Sequence, residues 1–149
     1  MVSIRASCKV NASLEKVWDI VSDVDNDPQY WKGVSSIRNI RKEGNVVERV
    51  VKVGFMGNEG SQIIKLKPKQ SMELTMTKGP LKGTRVMKLT PENHGIRLEV
   101  QWDFQFSGIP TFARGFVKSQ IERATKEALE RIANAAEGLP SRKIVLTSK

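Results

Sequence analysis

From Ile96 to Phe106 the chain alternates without a break. Leu98, Val100, Trp102, Phe104 and Phe106 fall on one side, and Arg97, Glu99, Gln101, Asp103 and Gln105 on the other. Strict period-two patterning over this length predicts a strand with one dry face and one wet face. The same pattern opens the chain, where Val2, Ile4, Ala6, Cys8 and Val10 share a face and Arg5 and Lys9 take the other. Between these two segments, Val34–Arg41, Val46–Phe55, Ser61–Lys67, Ser71–Thr77 and Thr84–Thr90 read as further strands. They are punctuated by Lys42-Glu43-Gly44-Asn45, Gly57-Asn58, Pro68-Lys69, Gly79-Pro80 and Pro91–Gly95.

Two stretches follow helical spacing instead. Leu14, Val17, Trp18 and Val21, after an N-cap from Asn11 or Ser13, predict a short amphipathic helix. A second helical turn is expected through Gln29, Tyr30 and Trp31. Pro110 to Glu137 predicts a long helix, roughly 40 Å at 1.5 Å per residue. Its apolar stripe runs through Ala113, Val117, Ile121, Ala124, Ala128, Ile132 and Ala135, and Gly138 and Pro140 end it. The order is strand, two short helices, six antiparallel strands and a long helix: an α+β domain whose curved sheet gives the helix a surface to lie on. Residues 1–149 read as one domain, with 138–149 a loose basic tail.

Composition changes this picture little. A chain of 149 residues can bury a core without disulfides or a structural metal, and its single cysteine, Cys8, reads as a small strand residue. No apolar run reaches the length of a membrane span and no signal-peptide layout opens the chain, so an intracellular, cytoplasmic protein is the default expectation. The excess of 25 basic over 16 acidic residues, net +9, suits contact with RNA, ribosomes or an anionic membrane. The positive charges are scattered rather than blocked together, which fits a solvated surface.

The pattern resembles the START-like superfamily of polyketide cyclase/dehydrase and lipid-transport proteins, whose fold is often called a helix-grip. The residues carrying the resemblance are Val17-Trp18-Asp19-Ile20-Val21-Ser22-Asp23, Pro28 to Trp31, Gly79-Pro80-Leu81 through Thr90-Pro91, the Gly95 turn and the final helix. The Gly79-Pro80-Leu81 stretch looks most like the branch containing coenzyme Q-binding and ribosome-association proteins. The resemblance implies a seven-stranded antiparallel sheet curled around the C-terminal helix, with a cavity between them.

If the dry strand faces line such a cavity, its wall includes Val53, Phe55, Ile64, Leu66, Leu74, Met76, Met87, Val100, Trp102 and Phe104, and Phe112, Phe116 and Val117 close it from the helix. A filled core would bury the same side chains, at roughly 1.5–3 kcal/mol each. Tyr30 and Trp31 sit where the family has its cavity entrance and are expected at the rim. Counting back from Leu89 and Met87 puts Arg85 on the inward face, where a guanidinium needs a carboxylate or an anionic ligand group. The plainer expectation has Arg85 reaching solvent from the strand end. Arg49 shares the inward parity of Val51 and Val53 but lies nearer a hairpin tip.

Other candidates fall away. His94 belongs to a turn. Asp23-x-Asp25-x-Asp27 imitates a calcium loop but has Pro28 in the glycine position and Val34 in the glutamate position. One histidine and one cysteine make no conventional zinc site, and no cofactor is implied. No nucleophile–base pair stands out. The expected function is therefore binding or transport of a small hydrophobic ligand (lipid, isoprenoid, quinone or polyketide-like), with Arg85 as the first polar contact. The alternatives are a cyclase or dehydratase using the same cavity, and a protein- or ribosome-interaction module using the basic surface.

Overall fold

Alternation along Val2–Val10 becomes β1, and the Ser13 hydroxyl then caps α1 (Leu14–Ser22) by accepting from the Lys16 amide. A 3-10 turn at Val24–Asn26 leads into the short α2 (Asp27–Tyr30). Six strands follow: β2 (Val34–Glu43), β3 (Val46–Val53), β4 (Asn58–Lys67), β5 (Ser71–Lys78), β6 (Leu81–Glu92) and β7 (Gly95–Phe106). The long α3 (Thr111–Glu137) comes after them. This computed structural model describes residues 1–53, 58–138 and 147–148. Phe55, expected in the cavity wall, lies outside the described residues.

The sheet runs β2-β3-β4-β5-β6-β7-β1, antiparallel throughout, as the helix-grip expectation requires. A two-residue β8 (Thr147–Ser148), from the segment expected to be loose, pairs with Ala6 and Ser7 of β1. The outer edge, β2, is almost wholly exposed and carries Arg38, Arg41 and Lys42. Charge on an edge strand discourages pairing with another chain. β6 begins earlier than the sequence suggests because Gly83 sits at φ +151°, where a Cβ would collide with the Asp103 carbonyl oxygen of β7.

One face of the sheet is dry. Val47, Ile64, Leu74, Arg85, Trp102 and Ile4 are register partners in succession and form a single row across six strands. The neighbouring row runs Arg49, Gln62, Met76, Gly83 and Phe104. α3 crosses this face, packing on β1 and β7 and against α1 and α2. Cys8, 3 % exposed, is part of the core beneath it.

The buried side of α3 differs from the expected stripe. Val117, Ile121, Ala128 and Ile132 are buried as expected, but Thr125, Leu129, Ala133 and Ala136 join them, and Ala135 is exposed. The helix packs against α1 and α2 as well as the sheet, and the buried arc is broader in its second half. In the first turns the reverse holds: Phe112 is 91 % exposed and Phe116 65 %, so neither closes a cavity. At about 100° per residue, Phe112 points roughly 140° away from Val117, the first buried position.

Candidate functional site

Parity alone sends Arg49 and Arg85 inward, and both side chains are buried, at 1 % and 3 % exposure. The expectation that Arg85 reaches solvent is therefore corrected: it lies mid-sheet, between Leu74 and Trp102 in its row, with no strand end within reach. The surroundings of the two arginines differ sharply. Arg49 donates from Nη2 to Asp27 Oδ2 at 2.6 Å, from Nη1 to the Val24 carbonyl at 2.9 Å and from Nε to Gln62 Oε1 at 2.9 Å. Each of its nitrogens has an acceptor. Asp27 opens α2, just before Pro28, and is the buried residue of that helix. The other two aspartates of the cluster diverge: Asp23 accepts from Asn26, and Asp25 accepts from Lys42 Nζ at 2.6 Å.

Arg85 has no such acceptors. Its Nε and Nη2 are buried without a hydrogen-bond partner. The guanidinium carbon sits 4.0 Å from the ring centre of Trp31 and 5.6 Å from that of Trp102, and these two rings meet edge to face at 6.0 Å. Burial pulls the Arg85 pKa down to about 10; the charge of Asp27 supports the cation and that of Arg49 opposes it. Arg85 thus stays charged at neutral pH. Cation–π contact offers roughly 0.5–2 kcal/mol. Burying an uncompensated charge costs several kcal/mol, so the aromatic corner does not offset it alone.

A hollow of about 80 Å³ opens beside this corner, lined by Trp31, Gly33, Val34, Val53, Gln62, Leu74, Met76, Leu81, Arg85, Trp102, Ile121 and Ala124. A second, of about 40 Å³, lies toward the start of α3 between Val51, Val53, Met76, Lys78, Pro80, Leu81, Ile109 and Val117. They share Val53, Gln62, Met76 and Leu81. Of the side chains expected to line a cavity, Trp31, Val53, Leu74, Met76, Arg85, Trp102 and Val117 border one or both. Ile64, Met87 and Val100 are fully buried core that borders neither. Trp31 is interior rather than at a rim, 4 % exposed. Tyr30 is half-buried outside both hollows, and its carbonyl accepts from Arg131 Nη1 of α3 at 3.2 Å.

Sequence reasoning did not single out Asp27 as a core partner, or Gln62 and Thr125. Gln62 shares parity with Ile64 and was in principle legible as an inward polar group. Thr125 hides in the helical stripe because it is polar. Its hydroxyl accepts from Trp102 Nε1 at 2.9 Å and donates to the Ile121 carbonyl at 2.8 Å, which fixes the Trp102 indole against Arg85.

A sheet gripping one long helix is a fold shared with solved proteins. A protein of Thermus thermophilus superimposes with TM-score 0.78 at 18% identity, covering 94% of this chain and 100% of its own. The Zhui aromatase/cyclase of Streptomyces sp. R1128 gives 0.76 at 13% identity over 91% and 93%. An 18 kDa protein of Caulobacter crescentus gives 0.76 at 18% identity over 93% and 97%. At these identities the likeness is one of fold. No curated protein matches the chain. No helix among the described residues is long and apolar enough to cross a membrane. Residues 1–137 match the family described as polyketide cyclase / dehydrase and lipid transport, so nearly the whole chain is accounted for, and it belongs to that family.

Proposed function

We propose that the chain binds a small hydrophobic or amphipathic molecule between the sheet and α3. The observation that carries this reading is the hollow beside Trp31 and Trp102: apolar walls, enclosed by helix and sheet, with a few convergent polar groups, the usual composition of a ligand site. Its volume of about 80 Å³ is well below the ~300–1,000 Å³ of a pocket for a drug-sized ligand. Uptake therefore requires widening. The first turns of α3 are best placed to yield, because Thr111, Phe112, Arg114, Gly115 and Phe116 are exposed while the second half is pinned by Leu129, Ile132, Ala133 and Ala136. Met76, shared by both hollows, has the flexible side chain suited to adapting a wall to its occupant.

Binding is favoured over proton-transfer chemistry because the ionisable side chains bordering the hollows, among the described residues, are Arg85 and Lys78 rather than a carboxylate or an imidazole. The family's description adds lipids and polyketides to the candidates. The resemblance of Gly79-Pro80-Leu81 to the coenzyme Q-binding branch adds isoprenoid quinones. Native mass spectrometry of the purified chain, with thermal-shift measurements across apolar molecules of these classes, tests the reading. A retained ligand or a raised unfolding temperature supports it, and neither with any class overturns it.

A further inference from the structure

The side chains around the hollow do not balance in charge. Among the described residues, two guanidiniums, Arg49 and Arg85, are buried in this region, and one carboxylate, Asp27, is bound to the first of them. Arg49 is hydrogen-bonded to Asp27 Oδ2, Gln62 Oε1 and the Val24 carbonyl, and none of these accepts from Arg85 Nε or Nη2. The unpartnered atoms of Arg85 are Nε and Nη2. In a guanidinium these two nitrogens present their hydrogens along one edge, side by side, the fork that matches both oxygens of a carboxylate. The guanidinium carbon meanwhile lies 4.0 Å over the centre of the Trp31 ring and 5.6 Å from that of Trp102, and both rings border the same hollow.

We propose that the hollow selects an apolar monoanion, a molecule with a carboxylate on a hydrocarbon body, whose two carboxylate oxygens accept from Arg85 Nε and Nη2 while the body lies against Leu74, Met76 and Ile121. The inference rests on the reading of this hollow as a ligand site and adds the chemical class. A single negative charge neutralises the cluster, which a neutral lipid does not. A dianionic phosphate would overshoot it and would bring a larger hydrated head into an apolar space. Trp102, held by Thr125, keeps the aromatic wall in place while the hollow widens and the carboxylate takes up the unpartnered edge.

The test compares octanoate, 1-octanol and octylamine on the whole chain by titration calorimetry, with wild type, Arg85→Met and Arg85→Lys. Octanoate is expected to bind wild type at least tenfold more tightly than octanol. Arg85→Met should abolish that preference, bringing octanoate and octanol to the same affinity, and Arg85→Lys, which keeps the charge and loses the planar edge, should reduce it severalfold. In wild type, the Arg85 Nε–H proton resonance should move on adding octanoate and stay still with octanol, a readout that needs no variant. Equal binding of octanoate and octanol, or a still Nε–H resonance at saturating octanoate, would overturn the inference while sparing the binding site. Octanoate preference surviving in Arg85→Met would place the anion on the basic surface and equally overturn it. If none of the probes binds, the carboxylate inference falls, while the ligand-site reading is decided by the wider panel of apolar molecules.

Discussion

Asp27 Oδ2 lies 2.6 Å from Arg49 Nη2, with 7 % and 0 % of the two side chains exposed. The pair joins the start of α2 to the middle of β3, and the Val24 carbonyl and Gln62 complete the arginine's shell. A buried pair of this kind adds little net stability over an apolar substitute, but breaking one side strands the other charge. Arg49→Met or Asp27→Ala alone should therefore lower unfolding free energy by about 3–5 kcal/mol in urea titrations. Arg49→Met combined with Asp27→Leu should recover much of that loss. A double variant as weak as the sum of the singles would show that the pair contributes more than charge balance.

Arg85 should behave in the opposite sense. Without a ligand its charge is a liability, so Arg85→Met should raise the stability of the ligand-free chain by about 1 kcal/mol or more. The pH dependence has a definite sign. The folded-state pKa is near 10, below the ordinary guanidinium range, so the unfolded chain holds this proton more tightly. The penalty is then full at neutral pH and shrinks as pH rises above about 10. Urea titrations of both proteins at neutral pH and above pH 10 should show the variant's advantage narrowing.

Asp25 provides a smaller, surface counterpart. Hydrogen bonds from Lys42, first, and Asn39 hold its carboxyl below the ordinary 3.8. A depressed folded-state pKa gives stability that is fully present above the unfolded value and is lost as pH falls through the folded one. Both partners are about half-exposed, so the contribution is about 0.5 kcal/mol. Asp25→Asn should lower stability by that amount at neutral pH in low salt, less in high salt, and not measurably well below pH 3.8.

At the start of α3, Gly115 has open space where a Cβ would stand, and Phe112 is almost fully exposed. Gly115→Ala should stabilise the chain by about 0.5–1 kcal/mol through helix propensity, and Phe112→Ser should change stability by under about 0.5 kcal/mol. Thermal denaturation checks both. If the first turns of α3 move to admit a ligand, Gly115→Ala should also slow uptake, which stopped-flow tryptophan fluorescence would register.

The strands were the most legible part of the sequence, because period-two alternation survives one-sided burial: β1, β5 and β7 follow their patterns residue by residue. The same parity brought Arg49 and Arg85 inside. What parity could not supply was the company each keeps. Asp27 and Arg49 are 22 positions apart, joined by a turn whose path no local pattern encodes. The helix was legible in extent and less so in orientation. Its apolar positions include Phe112 and Phe116 on one side and Leu129 and Ala133 on another, and only the placement of α1 and β1 decides which side is covered.

β1 carries the chain's single thiol, Cys8, turned into the core and paired in register with Leu98 of β7. A reagent must wait for that seam to part before it can react. The labelling rate of Cys8 is therefore a built-in clock for one event, the loosening of the first strand, readable without any introduced probe. Set beside the rate of global unfolding, it separates a chain that opens along β1 from one that opens only as a whole.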